Sequence, residues 1–297
     1  MFSFKLALPA LPALPFALPL ALIGCAPPPL AGTTALDLAP FVVDGGRLQG
    51  IASDPIGTDL HVLIEGRGLL QIDRDGVLVT ERPVGSKGLE DRPYRDLAVI
   101  GDGRFLLIAD NEGYLYDELT ETQRVHFCVE PGFEGECIDE NGNWADADGD
   151  GLCDWDDPAP TEPQPIEPEP TGEPVIQRND ALALVGAAIV AAPRFYEDGE
   201  QIEASLRSYD VGTGDPTGVA DLSGLGLDLA GVAADGDRLI GVSANRLARF
   251  TLDGEKIAEA TLDVDDAAGL VIDGDRALVL DRSSLRVVAF ELTALRD

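Results

Sequence analysis

Asp146, Asp148, Asp150, Leu152, Asp154 and Asp157 place an oxygen donor at each ligand position of a twelve-residue loop. Carboxylates at positions 1, 3 and 5 of a curling loop converge on one point. Gly151, at position 6, allows the sharp turn that brings the chain back. Leu152 contributes its carbonyl oxygen, Asp154 binds directly or through water, and Asp157 closes the shell. Ca²⁺ takes six to eight oxygens at ~2.3–2.6 Å, so this donor set and spacing predict a calcium loop.

The loop resembles an EF-hand loop but departs from it twice. Position 12 is Asp157 where Glu is usual, and Pro158 follows at once, where an exiting helix would begin. With those departures the segment more closely resembles a thrombospondin type 3 repeat, an Asp-rich extracellular calcium loop. Upstream, Asp139, Asn141, Asn143 and Asp146 sketch a second half-site that lacks the turn glycine. Isolated extracellular sites commonly bind at ~10⁻⁴–10⁻³ M, so the metal would order the segment and not signal.

Catalytic signals are sparse. The two histidines, His61 and His126, sit in apolar-alternating contexts that read as packed strands. No nucleophile motif, phosphate-cradling glycine pattern or zinc spacing is present. Ser86-Lys87 and Ser283-Ser284 have no partners that the sequence nominates. Four aspartates, Asp96, Asp180, Asp228 and Asp266, each precede the first apolar run of a recurring unit. As turn caps they need no further role.

That unit sets the architecture. Asp228-Leu-Ala-Gly-Val-Ala-Ala-Asp-Gly-Asp-Arg parallels Asp266-Ala-Ala-Gly-Leu-Val-Ile-Asp-Gly-Asp-Arg, 38 residues on. Asp96-Leu-Ala-Val-Ile-Gly-Asp-Gly-Arg is a shorter copy, and weaker ones begin near Gly50 and Asp180. Each pairs two apolar runs across a Gly/Asp turn, the chemistry of a tight hairpin. Second hairpins follow, as in Leu70–Val77 and Ala248–Glu255. Four short strands per period of about 40 residues predict an all-β protein, a β-propeller of about five blades, or six if 180–222 hides two. A β-sandwich or an open array would use the same strands. The motifs resemble the WD-repeat, YVTN and NHL-like propellers; no Gly-His is present, and the one Trp-Asp pair, Trp155-Asp156, lies in the acidic segment. Residues 33–43 are expected to pair with Leu285–Phe290 and close the ring. In a propeller the four aspartates would ring a channel mouth and could hold a cation, an arrangement that resembles calcium-dependent, lactonase-like propeller hydrolases.

The 297 residues carry 54 Asp+Glu against 21 Lys+Arg, a formal charge of −33, which excludes nucleic acid as a partner because phosphates would be repelled. Fifteen of those acids, and no base, fall in 129–176, whose second half is Pro/Glu-rich, extended and largely irregular. The remaining 39 acids still outnumber the bases, which suits a solvated surface in a salty habitat.

The N-terminus reads as an address. Lys5 precedes an apolar stretch broken by Pro9, Pro12, Pro15 and Pro19, a secretory signal and not a membrane span. Leu22-Ile23-Gly24-Cys25 resembles the bacterial lipobox, which implies acylation of Cys25 and a membrane anchor; Ala26 by that resemblance favours the outer membrane. Export allows one disulfide among Cys128, Cys137 and Cys153, with the pairing open. The expected organisation is signal peptide 1–24, tether 25–32, propeller 33–127 and 175–297, calcium-binding insertion 128–157 and linker 158–174. The expected function is an exported, lipid-anchored, calcium-binding scaffold with a protein or glycan ligand; the alternative is the lactonase-like hydrolase.

Overall fold

The computed structural model describes residues 28–43, 45–54, 58–86, 88–109, 112–128, 176–197 and 200–295. A short strand, β1 (Thr33–Asp37), comes first. Blade one follows with β2 (Leu48–Ser53), β3 (Leu60–Ile64), β4 (Gly68–Ile72) and β5 (Leu78–Pro83). Blade two has β6 (Asp96–Gly101), β7 (Arg104–Ala109), β8 (Glu112–Asp117) and β9 (Thr122–Cys128). Blade three has β10 (Ile176–Val185), β11 (Ala188–Glu197), β12 (Glu200–Asp210) and β13 (Pro216–Asp221). Blade four has β14 (Gly231–Asp235), β15 (Arg238–Ser243), β16 (Arg246–Phe250) and β17 (Lys256–Thr261). In blade five, β18 (Ala267–Asp273), β19 (Arg276–Asp281) and β20 (Arg286–Glu291) take β1 as their outer strand.

The first strands of the blades, β2, β6, β10, β14 and β18, pack each on the next, and β18 packs on β2. The molecule is therefore a five-bladed β-propeller. Antiparallel pairing of β1 with β20, from Thr33↔Ala289 to Asp37↔Arg286, ties the two ends of the propeller chain into one blade. The expected pairing of residues 33–43 is present over Thr33–Asp37.

Local chemistry explains the strands. Where the first two strands of blade two meet, Asp102 and Gly103 both take positive φ, 53° and 74°, as a two-residue hairpin turn requires. The second strands are covered on both faces by neighbouring blades, so β3 is buried at all five positions and reads as a continuous apolar run. The outer strands β13 and β17 are mostly exposed.

Five apolar clusters fill the five junctions between blades. Blades five and one share Leu36, Ile51, Ile64 and Leu280, and blades one and two share Leu63, Leu97, Phe105 and Tyr116. Phe127, Ile189 and Tyr209 lie between blades two and three. Leu206, Leu239 and Phe250 lie between three and four, and Val242, Leu270 and Phe290 between four and five. Each cluster needs two blades, so no blade has a core of its own.

Truncating Phe290, which is 1% exposed, should therefore cost about 3–5 kcal/mol. Val219→Ala on the outer strand, at 67% exposure, should stay within about 0.5 kcal/mol. Urea unfolding of the two variants tests the contrast, and equal losses would contradict it.

Candidate functional site

The calcium-loop residues Asp146, Asp148, Asp150, Leu152, Asp154 and Asp157 lie outside the described residues, as do Cys25, Cys137 and Cys153. Cys128 ends β9. Asp180 lies in β10, and its side chain is outside the described set. Asp96, Asp228 and Asp266 are described, and the structure does not bring them together. Asp228 and Asp266 are exposed, whereas Asp96 is 2% exposed. Among the described residues no three His, Cys, Asp or Glu side chains are grouped as metal ligands.

The repeat register explains the separation. A central channel of about 180 Å³ is lined by three residues from each inner strand, from Ile51–Ser53 in β2 to Leu270–Ile272 in β18. One residue before each triplet stand Gly50, Asp96, Ala181, Gly231 and Gly269. Asp96 thus corresponds to Gly231 and Gly269, three positions beyond Asp228 and Asp266. Matching the leading aspartates misplaces it by three positions: the copy in blade two is two residues shorter before its turn, and the β-bulge between Val99 and Gly101 adds one more.

At this tier the strands come closest. A Cβ on Gly231 would lie 2.8 Å from Gly269 backbone, and one on Gly269 would lie 3.1 Å from the Ile51 nitrogen. A Cβ on Gly50 would meet Asp96 Oδ1 at 2.3 Å. The Asp96 carboxylate fills the gap that glycine leaves elsewhere. It accepts the Leu97 N–H at 2.9 Å and, across to blade three, the Leu182 N–H at 2.7 Å. Burial pushes its pKa well above the usual carboxylate range, outweighing those two donors and the charge of Arg282.

A second polar site lies between blades one and two. A cavity of about 140 Å³ is lined by His61, Gln71, Arg82, Asp54, Asp102 and Glu118, with Phe105 as its apolar wall. Arg82 is 5% exposed, stacks over the Phe105 ring at 5.3 Å and gives Nη2 to Glu118 at 2.5 Å. Its Nε and Nη1 are buried with no hydrogen-bond partner. His61, 3% exposed, meets Phe105 edge-on at 5.0 Å, and its Nδ1 is likewise unpartnered. Burial, reinforced by the Arg82 charge, pushes the imidazole pKa down to about 4. Gln71 donates to Asp59 at 2.8 Å.

His61 is a packed strand residue, as its sequence context suggests, but its position is unusual. Register places it with Leu106, Val190, Ile240 and Leu278, each opposite the middle residue of its channel triplet. Arg82 occupies the place of Phe127, Ala220, Ala260 and Leu36. Sequence reading did not single out Arg82, because it pairs with distant Glu118 and its outer-strand repeat is weak. The other polar residues have structural partners. His126 donates from Nε2 to the Val211 carbonyl at 2.9 Å, and Ser86 donates to the Pro83 carbonyl at 2.7 Å. Ser283 and Ser284 donate to the Asp281 carboxylate at 2.8 and 2.6 Å.

No family model matches the chain, and no curated protein matches it. Solved structures similar to it include a nidogen/laminin complex, at 11% identity and a TM-score of 0.47, over 82% of this chain and 76% of that one. The calcium-binding protein regucalcin from Agrobacterium tumefaciens aligns at 15% identity and a TM-score of 0.44, over 82% and 89%. The Pan2 WD40 domain of Neurospora crassa aligns at 12% and 0.39, and 62% of that chain is covered.

The two buried ionisable groups should respond oppositely to pH. His61 is held neutral, so the stability it allows is complete above pH ~6.5 and is lost as pH falls toward 4, by about 3 kcal/mol in full. His61→Leu, which restores the repeat's aliphatic residue, should gain on the parent protein as pH falls through that window. Burial raises the Asp96 pKa, so its contribution is complete below the ordinary carboxylate pKa and is lost as pH rises through the raised value. Asp96→Asn cannot ionise and should gain on the parent as pH rises from about 4. Urea unfolding across pH 4–8 checks both, and a pH-independent difference for either variant would refute its assignment.

Proposed function

We propose that the protein is an exported, lipid-anchored β-propeller that serves as a non-catalytic interaction scaffold at the bacterial cell envelope, with calcium ordering its acidic insertion. The observation that carries this reading is how blades two and three meet. The chain leaves β9 and re-enters at β10 after the acidic segment, and contacts among the described residues close the junction. Asp96 bonds the Leu182 N–H, Phe127 stacks on Tyr209 at 4.5 Å, and His126 bonds the Val211 carbonyl. A ring sealed in this way can carry a separate module on its rim, and the calcium-type spacing from Asp146 to Asp157 supplies that module's chemistry.

The other terms rest on sequence. Acyl chains on Cys25 would hold the protein at a membrane, each buried CH₂ adding ~0.8 kcal/mol, and Ala26 favours the outer membrane. The net charge of −33 directs it away from nucleic acid, and a scaffold of this kind would take a protein or glycan as its ligand. Fold alone does not specify that ligand.

Trp144 and Trp155 are the only tryptophans, and they flank or lie within the loop. Ca²⁺ titration of the full chain should give a saturable change in Trp emission that Mg²⁺ does not reproduce and Asp148→Ala abolishes. The protein should partition into detergent, and Cys25→Ser should lose that behaviour. A flat Ca²⁺ trace removes the calcium module, and equal partitioning of the Cys25 variant removes the anchor.

A further inference from the structure

We propose that the cleft between blades one and two is a binding site for a small zwitterion of the free amino acid class, with Arg82 as its carboxylate anchor. This goes beyond the scaffold reading and stands whether or not Cys25 is acylated or the acidic loop holds calcium.

Three observations converge on the cleft. First, the repeat is broken there twice. His61 and Arg82 occupy positions that are apolar in all four other blades, and both flank the same ring, Phe105. A propeller junction packs adequately with aliphatic residues at these places, as the other four junctions demonstrate. Second, the substituted side chains are left incomplete. Arg82 Nε and Nη1 and His61 Nδ1 are buried without partners, although nearly all buried polar groups in folded proteins find one. Third, they line an open volume of about 140 Å³, room for roughly five heavy atoms at the ~30 Å³ that a water occupies in the liquid.

Charge then selects the ligand. Guanidinium N–H groups match a carboxylate better than any other small anion except phosphate, whose greater negative charge the acids lining the cavity would repel more strongly. A bare carboxylate would also be repelled, because Asp54, Asp102 and Glu118 line the same cavity and His61 is neutral at pH 7. The molecule that fits must bring a cationic or donor end to those acids while its carboxylate meets Arg82. Asp102 sits at the exposed tip of the β6–β7 hairpin, at the mouth, whereas Arg82 is buried at the back. A glycine- or alanine-sized amino acid carries both ends within the bulk that the cavity admits. The Phe105 face accommodates a short aliphatic side chain.

Titration calorimetry of the full chain against the proteinogenic amino acids, with acetate and methylammonium as the two half-ligands, tests the proposal. At least one small amino acid should bind saturably, and each half-ligand should bind at least tenfold more weakly. Arg82→Gln and Arg82→Lys should both weaken binding at least tenfold, the second because a lysine keeps the charge but loses the fork. Asp102→Asn, on an exposed hairpin whose substitution leaves the core intact, should weaken the amino acid more than acetate. This variant keeps the test open if the Arg82 variants do not fold. No saturable binding across the panel, acetate binding as tightly as the amino acid, or undiminished affinity in Arg82→Lys or Asp102→Asn would overturn the proposal and leave the cleft as a site for ordered water.

Discussion

The ring depends on how closely its five inner strands approach one another. On three of them the position of closest approach is glycine, and Gly231 faces Gly269 while Gly269 faces Gly50 and Ile51. A side chain at Gly231 or Gly269 would meet the neighbouring backbone and wedge apart the junction there, because each apolar cluster is shared by two blades. The outer closure by β1 on β20 answers to the same geometry, since its hydrogen bonds form only when blade five has come full circle onto blade one. Arg282 adds a further tie there, donating from Nε to the Leu48 carbonyl at 2.7 Å. Folding energy in this architecture is therefore held in junctions, and a junction is formed or lost as a unit.

The acidic insertion falls at the junction where neither inner strand carries the glycine, Asp96 facing blade three and Ala181 facing blade two. Closing a long connection costs little more than closing a short one, about 0.6 kcal/mol for each doubling in length. A long linker nevertheless does not guide its two blades together as a five-residue connection does. Asp96 supplies a direct tie at that place. Its carboxylate replaces glycine and reaches across to the Leu182 N–H, while Phe127–Tyr209 stacking and the His126–Val211 bond act further out. The buried carboxylate is an expensive device, as the upward displacement of its pKa indicates. Its position is explained by the connection that it spans.

Much of this fold was legible in the sequence because turns and apolar runs recur where backbone geometry recurs. The Gly/Asp turns located the hairpins, and the pairing of Thr33–Asp37 with β20 followed from the need to close a ring. What failed was register. Asp96, Asp228 and Asp266 look equivalent when leading aspartates are aligned, but the copy in blade two is two residues shorter and a bulge after Val99 adds one more shift, so only the strand pairing places Asp96 with the glycines. Arg82 was invisible for another reason. Its neighbours Phe105 and Glu118 belong to the next blade, so a local reading shows an ordinary outer-strand arginine. His61 was read correctly as a packed residue, yet its departure from Leu106, Val190, Ile240 and Leu278 appears only once those residues share a column.

Electrostatics links the carried loop to the cleft. The ion pairs on the propeller, such as Arg74–Asp273 and Lys256–Glu259, are solvent-accessible and each worth at most about 1 kcal/mol, so they do not account for an excess of acids this large. The excess acts instead as a field. In solution at physiological salt it reaches about 8 Å from the surface. Cations are drawn to such a surface and simple anions are turned away. The proposed calcium loop would gain from that field, whereas a buried arginine would gain only if a carboxylate arrived on a molecule with no net charge. One acidic surface would therefore favour divalent metal at the proposed loop and zwitterions over anions at the proposed cleft.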